Sequence, residues 1–421
     1  MIRVCLLMLC CSWVQAETTV LKAKAYLDVR SGNWVSPAVL VIAGEQIQAI
    51  NPDQVPDVAT TIDLGEHRLL PGLMDMHTHL DLDYNNGFGN IITGESASKG
   101  AIRAAKNAEK TLLAGFTTVR NVGQVHITGE LIGAALSEAE QAGWIVSPRV
   151  VPAGHMISIS GGHGDLSLGL SENLFEPEPK HGIINGPIDA IEAVRYQIKH
   201  GAKVIKIHAT AGVMSLEDSV GAQQLSDEEM RTIVEEAERH HLRVAAHAHG
   251  AEGIKAAIQA GVHSIEHGSL LDAEGIKLMK KHNVHLVPTT GLVDYVMQGI
   301  DNNDPKIAAK AKYVLPLAKD NLSKAIKAGV KISLGTDSPL IPHGENAYEL
   351  SAMMAQGMSA IQAIRSATIH PAELLGVEDR GEIKAGLLAD LIAVSGDPLN
   401  DMTILKDVRF VMKGGRVYKQ P

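Results

Sequence analysis

Thiols are almost missing from this chain: its three cysteines, Cys5, Cys10 and Cys11, all fall within the first eleven residues. If that segment is removed, no disulfide framework, cysteine nucleophile or cysteine-held zinc remains. Any metal must then be held by nitrogen and oxygen. Aromatic residues are scarce, at 3%. Blocks of lysine and arginine are also lacking and the formal net charge is −10, which argues against nucleic acid or an anionic membrane surface as partner and leaves small molecules. The only long apolar run, Val4 to Val14, is about a dozen residues, too short to span a bilayer at roughly 20. Arg3 precedes it and Val14-Gln15-Ala16 follows with the spacing of a signal-peptidase site. The run therefore reads as a signal peptide, residues 1–16, cleaved after Ala16. The mature protein is expected in the periplasm or outside the cell, with no membrane attachment. A lipoprotein anchor on Cys10 or Cys11 competes, but Leu9 and Cys10 are poor residues to precede such a cysteine.

The remaining sequence, 45% hydrophobic in a chain of 421 residues, suits one large domain plus a smaller one. Short β-rich runs occupy the start, Val20 to Leu27 and Ala38 to Ile42, separated by the turn clusters Ser31-Gly32-Asn33 and Ala43-Gly44-Glu45. The last forty residues or so are similar: Ala389 to Val394, Val408 to Met412, the turn Lys413-Gly414-Gly415, and Arg416-Val417-Tyr418. We expect a composite β-sandwich from residues 17–70 plus 379–421. Between them, residues 71–378 alternate helices with short apolar strands. Three times a helix stops at Ala-Gly before a strand, at Gly115, Gly261 and Gly329. The best-marked helix opens at Ser226, where Glu229 completes a capping box, and places Met230, Ile233, Val234 and Ala237 at helical spacing. Eight strands, ending near His79, Val122, Gly154, Ala209, His249, Gly268, Thr290 and Asp337, predict an α/β fold of the (β/α)₈ TIM-barrel class, whose site lies at the C-terminal strand ends.

Polar residues of metal-binding type fall at those ends. In Leu73-Met74-Asp75-Met76-His77-Thr78-His79-Leu80, His77 and His79 are two apart and share one face of a strand. Strand four carries Lys206 and His208, strand five His247 and His249, strand six Glu266 and His267, strand eight Asp337. Each has a plainer explanation alone: Lys206 as a buried lysine paired with Glu266, His247 or His267 as hydrogen-bonded core histidines, Asp337 as a helix cap. Equivalent positions on five strands of one barrel make coincidence a poor account of the set.

In this order the residues resemble the amidohydrolase superfamily over nearly the whole chain, and most of all its binuclear prolidase-like dipeptidases, carboxypeptidase-like enzymes and ochratoxin-hydrolysing relatives. Supporting phrases are Gly115-Phe116-Thr117-Thr118-Val119-Arg120, Gly161-Gly162-His163-Gly164-Asp165, Ala245-Ala246-His247-Ala248-His249-Gly250 and Ser264-Ile265-Glu266-His267-Gly268. Asn121 departs from the aspartate expected after the first of these. The resemblance implies two divalent metal ions. His77, His79 and Asp337 would hold one, His247 and His267 the other, and Lys206 would bridge them as a carbamate formed with carbon dioxide. A lysine reacts with carbon dioxide only unprotonated, and its ordinary pKa of about 10.4 keeps it charged at neutral pH; burial beside dications disfavours the ammonium. Nitrogen and carboxylate ligands suit zinc best, with manganese or cobalt able to serve.

The chemistry implied is attack by a bridging hydroxide on an amide carbon, since coordination lowers the pKa of water from about 15.7 to about 7. Asp337 would move the proton to the leaving nitrogen, while a metal and an imidazole, His163 or His249, polarise the carbonyl. A net positive centre favours substrates with a nearby carboxylate, and Arg120, His155, His163, His208 and His249 are the candidate contacts. Second-layer positioning competes for each. Expected substrates are dipeptides or N-acyl amino acids, including Xaa-Pro peptides, or an aryl amide such as ochratoxin. A cyclic amide, as for imidazolonepropionase, is a rival that Lys206 disfavours; a catalytically silent binding barrel is another, disfavoured by the intact ligand set. Gly161 to Asp165 reads as a lid or a tight turn, Asn302 to Pro305 as a loop that gates access or lies on the surface, and a homo-oligomer stays open.

Overall fold

The computed structural model describes residues 18–57, 59–83, 91–92, 94–171, 173–217 and 219–421. The expected signal peptide and all three cysteines lie outside these residues. The β-rich start forms β1 (Thr18–Ala23), β2 (Ala25–Asp28), β3 (Asn33–Val35), β4 (Ala38–Ala43), β5 (Gln46–Ile50), β6 (Thr60–Asp63) and β7 (Arg68–Pro71). β1 pairs antiparallel with β4 and parallel with β6, in a sheet ordered β5-β4-β1-β6.

Parallel strands follow. β8 (Leu73–Thr78), β9 (Phe116–Asn121) and β10 (Arg149–Pro152) form one sheet. After the short pair β11 (Ser158–Ile159) and β12 (Ile183–Ile184), a second holds β13 (Val204–His208), β14 (Arg243–Ala248), β15 (Ser264–His267) and β16 (His285–Val287). β8, β9 and β13 are buried along their full length, as parallel strands covered on both faces must be. The intervening helices follow the expected stops and starts. Gly261 and Gly329 cap their helices at φ 101° and 74°, Gly115 follows its helix at φ 99°, and the Ser226–Glu229 capping box opens the helix Asp227–Arg239.

Where an eighth strand was expected, the chain is irregular. Residues 332–338 contribute two isolated bridges, Leu286 with Ile332 and Thr78 with Ser338, while Met76 N–H donates to Leu334 O and Asp337 N–H to His77 O, each at 2.8 Å. Close approach explains the irregularity: a Cβ at Gly335 would lie 2.3 Å from Val287 Cγ1 and 2.8 Å from His77 Cβ. A similar single bridge, Ile157 with Ile207, links the β10 side to β13. The coarse architecture is therefore of the TIM-barrel type, assembled from two parallel sheets and these links.

The chain returns to its beginning through β17 (Leu391–Val394), β18 (Phe410–Lys413) and β19 (Arg416–Lys419), in a six-stranded sheet ordered β19-β18-β17-β7-β2-β3. One apolar cluster joins Leu21, Leu40, Ile42 and Ile47 from the first sheet to Leu69, Leu391, Phe410 and Met412 from this one. Strands from near both ends of the sequence thus share one apolar cluster. The segment Asn302 to Pro305 is a junction between helices and not an open loop. Asp304 Oδ1 accepts from Lys306 N–H at 2.8 Å and Pro305 opens the helix Pro305–Ala328, the residues a helix start selects.

Candidate metal centre

Buried strand ends can hold polar side chains only if their spare hydrogen-bonding atoms are engaged, and the histidines here are tied from behind. His77 Nδ1 meets Glu266 Oε2 at 2.8 Å, His79 Nδ1 donates to Gly123 O at 3.0 Å, His267 Nδ1 meets Thr289 Oγ1 at 2.8 Å and His249 Nδ1 meets Ser269 Oγ at 2.8 Å. With Nδ1 engaged, Nε2 is the ring atom left to bind a ligand. In His77 and His79 it points at Asp337, 3.4 and 3.3 Å from Oδ1. These three form a group whose ligand atoms lie within 4.8 Å of one another. The rings continue as an array, with centroids 5.0 Å apart for His77 and His267, 4.8 Å for His267 and His247, and 4.4 Å for His247 and His163.

The second ligand group that the structure brings together is His163, His208 and His247, so His208 and His163 join a residue expected to partner His267. Both arrangements use His247, whose Nε2 is buried with no hydrogen-bond partner; His208 Nδ1 is likewise without one. An orphaned, buried imidazole nitrogen is what a metal ligand looks like before its ion is added. The local field suits that role. Burial holds His208, His247 and His267 well below the ordinary imidazole range and His249 at about 3. All are neutral at pH 7, the form that ligates. Burial would raise the Asp337 carboxyl, yet the neighbouring His77, His79 and His267 keep it well below its usual range.

Lys206 lies on β13, 1% exposed and close enough to Glu266 and Asp337 to feel their charges. Its expected simple partner, Glu266, is otherwise occupied, accepting from Arg120 Nη2 at 2.8 Å and Ser264 Oγ at 2.5 Å besides meeting His77. Among the described residues Lys206 Nζ forms no hydrogen bond or ion pair. Burial, opposed by the charges of Glu266 and Asp337, lowers its pKa to about 8, bringing the reactive free amine within reach near neutrality. The donor set therefore fits divalent metal, with two groups of side chains able to hold an ion.

Other expected contacts fall elsewhere. Arg120 does not reach the mouth. It is 1% exposed, with Nε on Met76 O at 2.7 Å, Nη1 on Ser264 Oγ at 3.0 Å and Nη2 on Glu266, because a buried guanidinium must spend its donors nearby. His155 packs beside Gln124 and His181, and burial lowers its pKa to about 3. Gly161 to Asp165 is a tight turn, with Gly161 at φ 69° and its N–H donating to Asp165 Oδ2 at 2.7 Å. Asn121 uses both ends of its amide, accepting from Leu80 N–H at 2.7 Å and donating to Gly123 O at 3.2 Å. An aspartate could not make the second bond.

Two supports were not anticipated. Glu266 with Arg120 orients His77. Asp75 accepts from His77 N–H, Thr336 Oγ1 and Asn346 Nδ2 at 3.0, 2.6 and 2.7 Å, tying β8 to the segment that bears Asp337. For Asp75 the available signal was a carboxylate between Met74 and Met76 in a buried strand. Three of the six described non-glycine residues with positive φ lie here, His267 (69°), Thr289 (47°) and Asp337 (56°), while Asn51, His241 and Asn283 lie elsewhere; backbone of this kind is strained for residues other than glycine.

Comparison with known proteins agrees with this geometry. Residues 68–418 match the model of the amidohydrolase family. Ochratoxinase of Aspergillus niger is 34% identical over 97% of this chain and 88% of that protein. The crystal structure of a Xaa-Pro dipeptidase with methionine bound in its active site superposes with a TM-score of 0.91 at 38% identity, covering 96% of this chain and all of that one. A prolidase complexed with N-methylphosphonate-L-proline gives 0.86 at 31%, with the same coverage.

Proposed function

We propose, from the premise that this chain belongs to the amidohydrolase family and to its prolidase-like, ochratoxinase-related group, that this amide-bond hydrolase cleaves dipeptides or N-acyl amino acids at a binuclear metal centre. The observation that carries the reading is the convergence of the His77 and His79 Nε2 atoms on Asp337, beside an unpaired Lys206 and the orphaned Nε2 of His247. His77, His79 and Asp337 would hold one ion, His247 and His267 the second, and the Lys206 carbamate both. We prefer His267 to His163 and His208 because His267 lies within the electrostatic reach of both Asp337 and Lys206. When bound, the ions, zinc by ligand type, supply hydroxide at neutral pH and a Lewis acid for the amide oxygen.

The protein's own groups do the rest. Lys206 would lose one ammonium proton to become the free amine, bond through Nζ to the carbon of carbon dioxide as a C=O π pair moves onto oxygen, and release a second proton to solvent, leaving a carbamate whose two oxygens are carboxylate-like. Glu266, charged and locked by Arg120, keeps the proton of His77 on Nδ1 and so leaves Nε2 a lone pair. The Asp337 carboxylate, unprotonated at neutral pH, takes the proton of the attacking water and delivers it to the leaving nitrogen as the amide C–N bond breaks. His163, His208 and His249 remain as imidazoles able to contact the carbonyl or the substrate's carboxylate. The methionine and the prolyl phosphonate bound by the two crystallographic relatives are both amino-acid derivatives, which supports that substrate class.

The same reading takes the bridges at Ile157, Ile332 and Ser338 as closing an eight-stranded barrel over 71–378, with 17–70 and 379–421 as one sandwich domain and residues 1–16 as a removed export signal. The test is a panel of Xaa-Pro dipeptides, N-acyl amino acids, ochratoxin A and imidazolonepropionate, assayed for ring opening or released amino acid with zinc-, manganese- and cobalt-loaded protein. Release of free amino acid from acyclic amides is expected. Turnover of the cyclic amide alone would overturn the proposal.

A further inference from the structure

A buried lysine away from the metal ligands has an unusual set of partners. Lys310 projects from the helix Pro305–Ala328, which follows β16, and is 7% exposed. Its Nζ donates to three backbone carbonyls of one loop, Gly212 O at 2.9 Å, Ser215 O at 2.7 Å and Glu217 O at 2.9 Å. An ammonium donates up to three hydrogen bonds, and the three carbonyls of one short segment lie within its reach. The loop is further closed by Gly212 N–H donating to Glu217 Oε1 at 3.1 Å, and Val213 packs into the apolar cluster around Ala308, Ala311 and Val314 on either side of Lys310.

This loop, which leaves the end of β13, holds His163, which comes from the turn beyond β11. His163 Nδ1 meets Ser215 Oγ at 2.5 Å and lies 3.6 Å from Glu217 Oε1. Its ring lies so close on Gly212 that a Cβ there would fall 2.2 Å from Cε1. Burial would raise the Glu217 carboxyl, but its hydrogen bonds to His163 and Ser215 hold it at about 2, so it is charged when the loop is closed. The other face of His163 meets His247 at 4.4 Å between ring centroids and His208 at 4.9 Å. Among the described residues, the polar groups that meet its Nδ1, Ser215 and Glu217, thus lie on a loop that Lys310 holds from the far side.

We propose that Lys310 is a positioning residue for substrate recognition, clasping the 212–217 loop so that Ser215 and Glu217 aim His163 at the carbonyl or carboxylate of the bound amide. This rests on the functional reading above and adds to it a residue that touches neither substrate nor metal. A perturbation on the helix after β16 thereby reaches a side chain beyond β11 through a loop after β13.

The test is a cycle of K310M, K310R and H163N with K310M/H163N. Hydrogen exchange of the 212–217 amides is followed in each protein, and KM and kcat are measured on the substrate that the panel identifies. K310M is expected to lose protection in that loop and to raise KM about tenfold, the size of one charge-assisted hydrogen bond, with kcat changing less and metal content unchanged. K310R should retain part of both, and K310M should add nothing to KM in the H163N background. Equal effects of K310M with and without H163N, or undisturbed exchange in K310M, would overturn the clasp. Exchange reads the loop without any turnover, so an enzyme inactive on the whole panel would refute the substrate class while leaving the clasp to be judged by protection alone.

Discussion

Replacing Arg120 with methionine isolates the support beneath His77. The side chain is 1% exposed and Glu266 is fully buried, so neither charge can turn to water when its partner is removed. R120M keeps the aliphatic volume but strips Glu266 of its ion pair, Met76 O of its Nε–H donor and Ser264 Oγ of the Nη1–H donor. Breaking one side of a buried pair costs about 3–5 kcal/mol. The Ser264 hydroxyl still donates to Glu266, which places the expectation near the lower end. Adding E266Q removes the stranded charge, and the double variant should recover about 2 kcal/mol relative to R120M, a coupling that additive sites do not show. The assay is urea unfolding of chelator-treated protein, so that metal binding does not enter the difference, followed by zinc competition titration. There R120M should bind zinc about 10–100-fold more weakly, because the partner of His77 Nδ1 has changed. A loss below about 1 kcal/mol in R120M, or a double variant no better than the single, would refute the argument that this pair holds the first histidine.

Chelation should abolish hydrolysis and added zinc restore it, with elemental analysis giving two ions per chain; K206A should retain fewer ions and lose about 10²–10³-fold in turnover, and full activity of K206A would sink the carbamate. His285, 2% exposed, has its pKa lowered by burial from 6.5 to about 3. The unfolded chain binds that proton as pH falls below 6.5 while the folded chain resists until about 3, so stability that is intact above 6.5 is lost on the way down. At roughly pH 4.5 this amounts to about 2–3 kcal/mol, and urea unfolding of H285Q should show a correspondingly shallower decline from pH 7; identical slopes would exclude the assignment. G335A should destabilise by about 1–3 kcal/mol through overpacking against Val287 and His77, read as a fall in thermal midpoint together with weaker metal retention.

The parts legible in the sequence were those written in local patterns. Ala-Gly stops, the Ser226 capping box and buried β-branched runs placed the helices and parallel strands, and histidines two apart on β8 and β14 announced a shared face. The irregular 332–338 segment was not legible as such, because its shape follows from how closely Gly335 crosses Val287 and His77, a contact between distant residues. Arg120 was misplaced for a related reason. Its strand was readable, but its depth in the barrel and the acceptors across the interior were not. Lys310, Ser215 and Glu217 carried no signal at all, since a lysine in a helix and polar residues in a loop are ordinary until folding brings them together.

The three strained backbones at His267, Thr289 and Asp337 bear on how such a barrel can be redesigned. They sit where the chain leaves the strand ends, so a βα connection is best exchanged with the graft beginning after them. Engineers seeking new specificities by transplanting connections should keep these three positions from the recipient and vary what comes after them, because a donor segment that relaxes the bend would turn its ligand or its hydroxyl support out of the basin.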